Sequence, residues 1–278
     1  MRFKVNDTIL NILEAGTNNY NKGRPSLVFL HYFGGSSLSW TETITALADD
    51  YHCIAPDLRG FGVSEASAES YSIEDYANDV QELITLLRLE NFALVGHSMG
   101  GKFALALAAR KPENLQSLIL LAPSPPTPEP ISEDERKRLL NTHGNRCVAT
   151  ETVCSAAGGK LPAEIFERAV TDNLRSSQKA WRAWLESESR RDISSIVGQI
   201  NVPILIAAGE MDEKMTVKLL KREIVRRVAN ARLVVIAKVK HLLPLELPKE
   251  IADLIRKQVE NPFCGKADFA SSKVERSV

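Results

Sequence analysis

The chain has 278 residues, with 35 Lys and Arg balancing 35 Asp and Glu, and 44% of its residues are hydrophobic. That length and apolar fraction suit one large α/β domain, or one domain with an insertion, and supply ample material for a core. The balanced charge and the lack of a long basic block with interleaved aromatics argue against a nucleic-acid partner; no apolar run approaches a membrane span, and Met1-Arg2-Phe3-Lys4-Val5-Asn6-Asp7 carries no apolar signal core, so a cytoplasmic protein is expected.

Arg2-Phe3-Lys4-Val5 and residues 8–14 flank Asn6-Asp7, the pattern of a β-hairpin. Residues 18–25 form a polar loop. Ser26-Leu27-Val28-Phe29-Leu30 is an unbroken apolar run that predicts a strand buried on both faces. It ends in the loop His31-Tyr32-Phe33-Gly34-Gly35-Ser36-Ser37, and a helix is expected over 39–49. Residues 51–56 predict the next strand, which runs into Asp57-Leu58-Arg59-Gly60-Phe61-Gly62-Val63-Ser64. Ser72 is placed to cap a helix, with Asp75 at the capping-box position and Val80, Leu83, Ile84 and Leu87 at helical spacing. A strand over 91–95, a helix over 102–110 and a strand over 115–121 follow. Strands alternating with helices imply a parallel sheet with right-handed crossovers.

The alternation stops at Ser124-Pro125-Pro126-Thr127-Pro128-Glu129-Pro130, and nothing from 131 to 197 reads as a buried strand. Ser132-Glu133-Asp134-Glu135 predicts a helix start with a capping box. Pro162-Ala163-Glu164 predicts another, carrying Ile165, Phe166, Ala169 and Val170, while Trp181, Trp184 and Leu185 form an amphipathic stripe. Residues 124–197 are therefore expected to be a helical cap inserted into a core domain of residues 1–123 and 198–260. The alternation resumes with strands over 202–209 and 232–237 and helices over 217–228 and 248–259. The polar stretch 261–278 is expected to be a disordered or loosely docked tail.

Between the strand ending at Val95 and the helix after it lies Gly96-His97-Ser98-Met99-Gly100, a serine between two glycines at a strand-to-helix turn. This is the nucleophile-elbow pattern G-x-S-x-G. The tight turn excludes a Cβ at Gly96 and Gly100, holds the serine in an unfavourable backbone conformation, and presents its Oγ at a helix N-terminus. The same pattern also describes plain turns and phosphate cradles, so the rest of the chain must supply a base, an orienting acid and an oxyanion site. The histidines are His31, His52, His97, His143 and His241. His31 precedes the elbow at a strand end, His52 lies at a strand start, His97 is turned away from Oγ inside the elbow, and His143 falls in the expected cap. Only His241 sits in a loop after the last strand, at the carboxyl edge of the sheet where sites collect, and it is the candidate base. In Gly209-Glu210-Met211-Asp212-Glu213, Asp212 is the candidate acid and Glu210 the fallback; capping the next helix is the plainer use of Asp212. The backbone N–H groups of Met99 and Phe33 are the candidate oxyanion donors.

These stretches, with His241-Leu242-Leu243-Pro244-Leu245-Glu246 and in this order, resemble the α/β-hydrolase superfamily over roughly residues 1–260. The resemblance implies an α/β fold with a mostly parallel eight-stranded sheet flanked by helices, an inserted helical cap, no cofactor, and a Ser98–Asp212–His241 triad. Two positions depart from the commonest pattern. Tyr32 stands where glycine is usual after the loop histidine, and Lys240 where glycine is usual before the catalytic histidine. The four cysteines, Cys53, Cys147, Cys154 and Cys264, form no C-x-x-C pair and cluster with no histidine, so neither zinc nor any other metal is expected.

The expected activity is hydrolysis of small or medium carboxylic esters by a serine nucleophile, with no nucleic-acid or membrane partner and a monomer or homodimer as the assembly. Lactone opening, C–C bond hydrolysis and cofactor-free haloperoxidase chemistry use the same triad in relatives and stay open. A non-catalytic ligand-binding protein of this fold is the alternative from a different class. Tyr32, Phe166, Trp181 and Trp184 are candidates to line the substrate pocket, or else to pack the cap onto the sheet.

Overall fold

The computed structural model describes residues 1–66, 69–262 and 273–274. Strands β1 (Arg2–Val5) and β2 (Thr8–Ala15) form the expected hairpin, turning at Asn6 with φ 47°, a left-handed conformation that asparagine tolerates better than most residues. β2 pairs antiparallel with β4 (Cys53–Pro56), and every later pairing is parallel: β3 (Ser26–Leu30), β5 (Phe92–His97), β6 (Leu115–Leu121), β7 (Ile204–Gly209) and β8 (Ala231–Ile236). The spatial order is β1-β2-β4-β3-β5-β6-β7-β8. A two-residue strand β9, Lys273–Val274, extends the edge beside β8. It falls in the stretch expected to be a loose tail; the rest of that stretch beyond residue 262 lies outside the described residues. β3 and β5 are buried along their whole length, as unbroken apolar runs in a doubly covered parallel sheet should be.

Helices α1 (Thr41–Leu47), α2 (Ile73–Leu86) and α3 (Met99–Ala109) connect the first strands. The capping box at the start of α2 is complete, with Ser72 and Asp75 bonding each other's backbone N–H. Between β6 and β7 the chain makes α4 (Glu133–Asn141), α5 (Arg146–Ala156), α6 (Ala163–Arg175), α7 (Gln178–Glu186) and α8 (Ser194–Val197), with no strand among them. The box expected at Ser132 is only half formed. Ser132 accepts from the Glu135 N–H, but the Glu135 carboxylate turns to Arg138 at 2.7 Å. The helix expected over 217–228 is short as well: α9 (Val217–Leu220) widens into a π-turn over Lys221–Val225. Helices α10 (Leu243–Glu246) and α11 (Pro248–Glu260) close the fold.

The main apolar core runs through the sheet and includes Leu139, Trp181, Trp184 and Leu185 of the inserted helices. A second cluster joins Val153, Ile165 and Val170 of those helices to Tyr32 and to Leu242 and Leu245 beside His241. The insertion is thus packed against the carboxyl ends of the strands, where the loops after β3, β5, β7 and β8 converge.

Candidate active site

The β5–α3 turn explains its own glycines. A Cβ on Gly96 would lie 2.7 Å from the Gly100 carbonyl oxygen, and one on Gly100 would lie 2.4 Å from the Leu30 oxygen. Ser98 between them adopts φ 52° and ψ −116°, a region costly for a side chain by about 1–3 kcal/mol. Its carbonyl accepts from Gly101 and Ser124, and its N–H donates to Leu121, so three segments hold the strained residue. Ser98 is 6% exposed, at the floor of a cavity.

His241 arrives on the loop after β8. Its Nε2 lies 2.9 Å from Ser98 Oγ and its Nδ1 lies 2.7 Å from Asp212 Oδ2. Asp212 follows β7, where Gly209 leaves room for the neighbouring loop: a Cβ there would meet the Lys240 carbonyl oxygen at 2.0 Å. Asp212 Oδ1 accepts from the backbone N–H groups of Lys214 and Met215. The carboxylate therefore organises its own turn with one oxygen and meets the imidazole with the other. Burial pushes its pKa up, but the His241 contact and the two backbone donors outweigh this and hold it below the usual carboxylate value. Glu210, the fallback acid, is exposed and accepts from the Lys238 N–H instead.

The other histidines are committed elsewhere. His31 Nδ1–H donates to the Tyr32 carbonyl and its Nε2 accepts from the Leu58 N–H, with burial lowering its pKa to about 4. His52 bridges Ser26 and Glu14, and His143 bonds the Ser176 carbonyl. His97 points away from Ser98 Oγ and donates from Nε2 to the His241 carbonyl at 2.8 Å; burial and the neighbouring His241 lower its pKa to about 3. The His241 N–H in turn donates to the carbonyl of Ala156, the last residue of α5. The imidazole facing Ser98 thus hangs from a backbone held on one side by the elbow and on the other by the insertion.

The β3 loop is braced from several directions. The Ser37 N–H donates to Asp57, the Gly35 N–H donates to Tyr32, and Ser36 Oγ donates to Asp172 on α6 at 2.6 Å. Asp172 is buried, and desolvation together with Asp57 raises its pKa to about 6 against the Ser36 hydrogen bond. Among the described residues the N–H groups of Phe33 and Met99 have no acceptor. That of Met99 is at the first turn of α3, where no intrahelical partner exists.

The cavity over Ser98 holds about 380 Å³. Tyr32, Trp181 and Trp184 line it, and the two tryptophans also belong to the core, Trp181 lying 4.2 Å from the Phe33 ring. Phe166 does not line it. It packs against the second apolar cluster, to which Ala169 also belongs, while Ala169 and Asn173 of the same helix reach the cavity. Helical period does not separate them, since positions three and seven apart share a face of the helix. Lys240 is at the rim, its ammonium 3.3 Å from the Ser155 carbonyl. Glu129 reaches the cavity from the proline-rich linker, and Asn173 and Met215 are among the lining residues that the sequence did not single out. Their spacing carries no motif, and only the return of the linker and of α6 over Ser98 brings them there. Among the described residues no group of three His, Cys, Asp or Glu is placed to hold a metal, and no described helix is long and apolar enough to cross a membrane.

A family model described as alpha/beta hydrolase fold matches residues 25–146. An uncharacterized hydrolase of Bacillus subtilis, YugF, is 29% identical over 257 residues, covering 84% of this chain and 90% of its own. An uncharacterized protein of Mycobacterium tuberculosis is 36% identical over 98 residues, a match spanning 35% of this chain and 29% of that relative's length. Among solved structures, an esterase from Exiguobacterium antarcticum superimposes with a TM-score of 0.85 at 21% identity, covering 94% of this chain and 99% of the esterase. The enol-lactonase from Burkholderia xenovorans gives a TM-score of 0.80 at 22% identity, covering 94% and 100%.

Proposed function

We propose that the chain is a member of the α/β-hydrolase superfamily and, within it, a serine hydrolase that cleaves carboxylic esters of small or medium substrates through an acyl-enzyme, a reading supported by the family match over residues 25–146 and by the fold shared with an esterase. The observation that carries the reading is the hydrogen-bonded line from Ser98 Oγ through His241 to Asp212 at the floor of a cavity. Ser98 Oγ attacks the carbonyl carbon while His241 Nε2 takes its proton. Asp212 fixes the Nδ1–H tautomer and stabilises the imidazolium. The N–H groups of Met99 and Phe33 receive the oxyanion, each such donor contributing about 3 kcal/mol in the transition state. His241 then protonates the leaving alcohol, and a water activated by the same base releases the acid. Helices α4 to α8 act as the cap that closes the cavity and sets substrate size.

A lactone is a cyclic ester, so the same machinery opens it. The likeness to an enol-lactonase supports including lactones among the substrates assayed. The test is covalent labelling by a fluorophosphonate, read by mass spectrometry, alongside turnover of acyl esters of graded chain length. Labelling at Ser98 with ester turnover is expected, and Ser98→Ala should lose both. Full turnover in Ser98→Ala, or an unlabelled Ser98, would sink the proposal.

A further inference from the structure

The cavity is mostly apolar, with Ile131, Leu139, Val153 and Met215 among its walls, yet one carboxylate outside the Ser98–His241–Asp212 line reaches it from the proline-rich linker. Glu129 takes one side-chain hydrogen bond among the described residues, from Ser124 Oγ to Oε2 at 2.9 Å. Among the described residues its other oxygen accepts none. Its backbone is anchored, the N–H on the Ser189 carbonyl at 2.7 Å, and Ser124 itself donates its N–H to the Ser98 carbonyl, so the carboxylate is held at a fixed station relative to the nucleophile. The buried cation Lys102 does not bond to it. It spends its ammonium on the carbonyls of Thr127 and Arg191 at 3.2 and 2.6 Å. Of the other carboxylates at the cavity, Glu135 pairs with Arg138, Asp212 is held by His241 and two backbone N–H groups, and Glu213 is exposed to solvent. Burial raises the Glu129 pKa, against the Ser124 bond and the charges of Lys102, His241 and Lys214. A carboxylate short of donors in an apolar cavity gains most from a ligand that brings one.

We propose that Glu129 is a specificity determinant, selecting esters that carry a hydrogen-bond donor, a hydroxyl or a protonated amine, beside the scissile group and rejecting esters that carry a carboxylate there. The selection rests on the serine-hydrolase reading, because the donor matters only relative to a bond that Ser98 attacks. It works by attraction and by exclusion together. A donor fills the open lone pairs of Glu129, whereas a second carboxylate would be desolvated against it with no cation bonded between them.

The test uses the full chain and two matched ester sets followed by acid release near neutral pH. One set varies the alcohol: propyl, 2-hydroxyethyl, 2-(dimethylamino)ethyl and carboxymethyl butyrate. The other varies the acyl group: ethyl hexanoate, ethyl 6-hydroxyhexanoate and monoethyl adipate. In at least one set, kcat/KM should rise about tenfold from the plain ester to the donor-bearing ones and fall about tenfold for the carboxylate. Glu129→Gln keeps an acceptor, so it should retain the hydroxyl preference, lose the amine advantage and relieve the carboxylate penalty. Glu129→Leu should abolish all three effects. A flat wild-type profile in both sets overturns the proposal whether or not the variants fold, and so does a preference that survives Glu129→Leu. Fluorophosphonate labelling of wild type separates the two failures: a labelled Ser98 with a flat profile sinks only the role of Glu129, and an unlabelled Ser98 sinks both.

Discussion

At the scale of single residues, the site depends on hydrogen bonds that no motif records. His241 was legible by elimination, since only one histidine follows the last strand. Asp212 was legible by its loop, although the sequence left helix capping as a rival use. The structure gives it a turn-forming role and a contact to the imidazole at once, because a carboxylate has two oxygens. The contact from His97 to the His241 carbonyl was not legible, since it spans 144 residues of chain. Under the proposed mechanism that donor keeps the His241 backbone from drifting. His97→Leu is expected to lower kcat roughly tenfold with KM little changed, and His97→Asn, which retains a donor, to recover part of it. Steady-state kinetics on one ester decide this. Asp172 offers a different readout. Its folded pKa of about 6 lies above the usual carboxylate value, so the native state holds the proton more tightly than the unfolded chain does. Its contribution therefore favours folding at pH below about 4 and turns against it as pH rises to about 6 and beyond. The shift corresponds to roughly 1–3 kcal/mol at pH above about 7. Asp172→Asn still accepts from Ser36 and carries no charge, so Tm should rise relative to wild type at alkaline pH and the gain should vanish in mild acid. Thermal unfolding across that range checks it.

At the scale of elements, strand and helix order was readable because hydrophobic runs and periodicities are local properties. Ends were less readable, because they depend on competition among nearby side chains. The half-formed box at Ser132 is an example: Glu135 has a closer suitor in Arg138. The sequence leaves Phe166 as a lining residue or a packing one, and its helical stripe does not choose between them: it shares a face of α6 with Ala169 and Asn173, which line the cavity, yet packs against the second cluster. The joints of the insertion were invisible in sequence. Lys102, buried on α3, ties the linker leading into α4 and the segment leading out of α7 to the helix that follows Ser98. Desolvation lowers its pKa to about 8, yet the ammonium satisfies two carbonyls that would otherwise be stranded. Lys102→Met should leave both without a donor, at about 1–3 kcal/mol each. Limited proteolysis should then cut the linker faster than in wild type, while an unchanged digestion pattern would rule out the tie.

At the scale of the whole molecule, the inserted helices do not have a core of their own. Trp181, Trp184 and Leu185 pack into the same apolar body as the sheet, and the second cluster bridges α5 and α6 to the His241 loop. The boundary read from the prolines at 123/124 marks a change of architecture, and cooperativity need not follow it. Calorimetry should accordingly give one unfolding transition; two resolved transitions would mean that the insertion melts by itself. A consequence for engineering follows from the Ala156 carbonyl that receives the His241 N–H. Under the proposed mechanism, replacing the inserted helices to change substrate range would also replace the peg on which the His241 base hangs. A chimera that transplants only the cavity wall and leaves the last turn of α5 in place should inherit new selectivity with its turnover intact, whereas a full swap should arrive with the selectivity and a mis-set histidine.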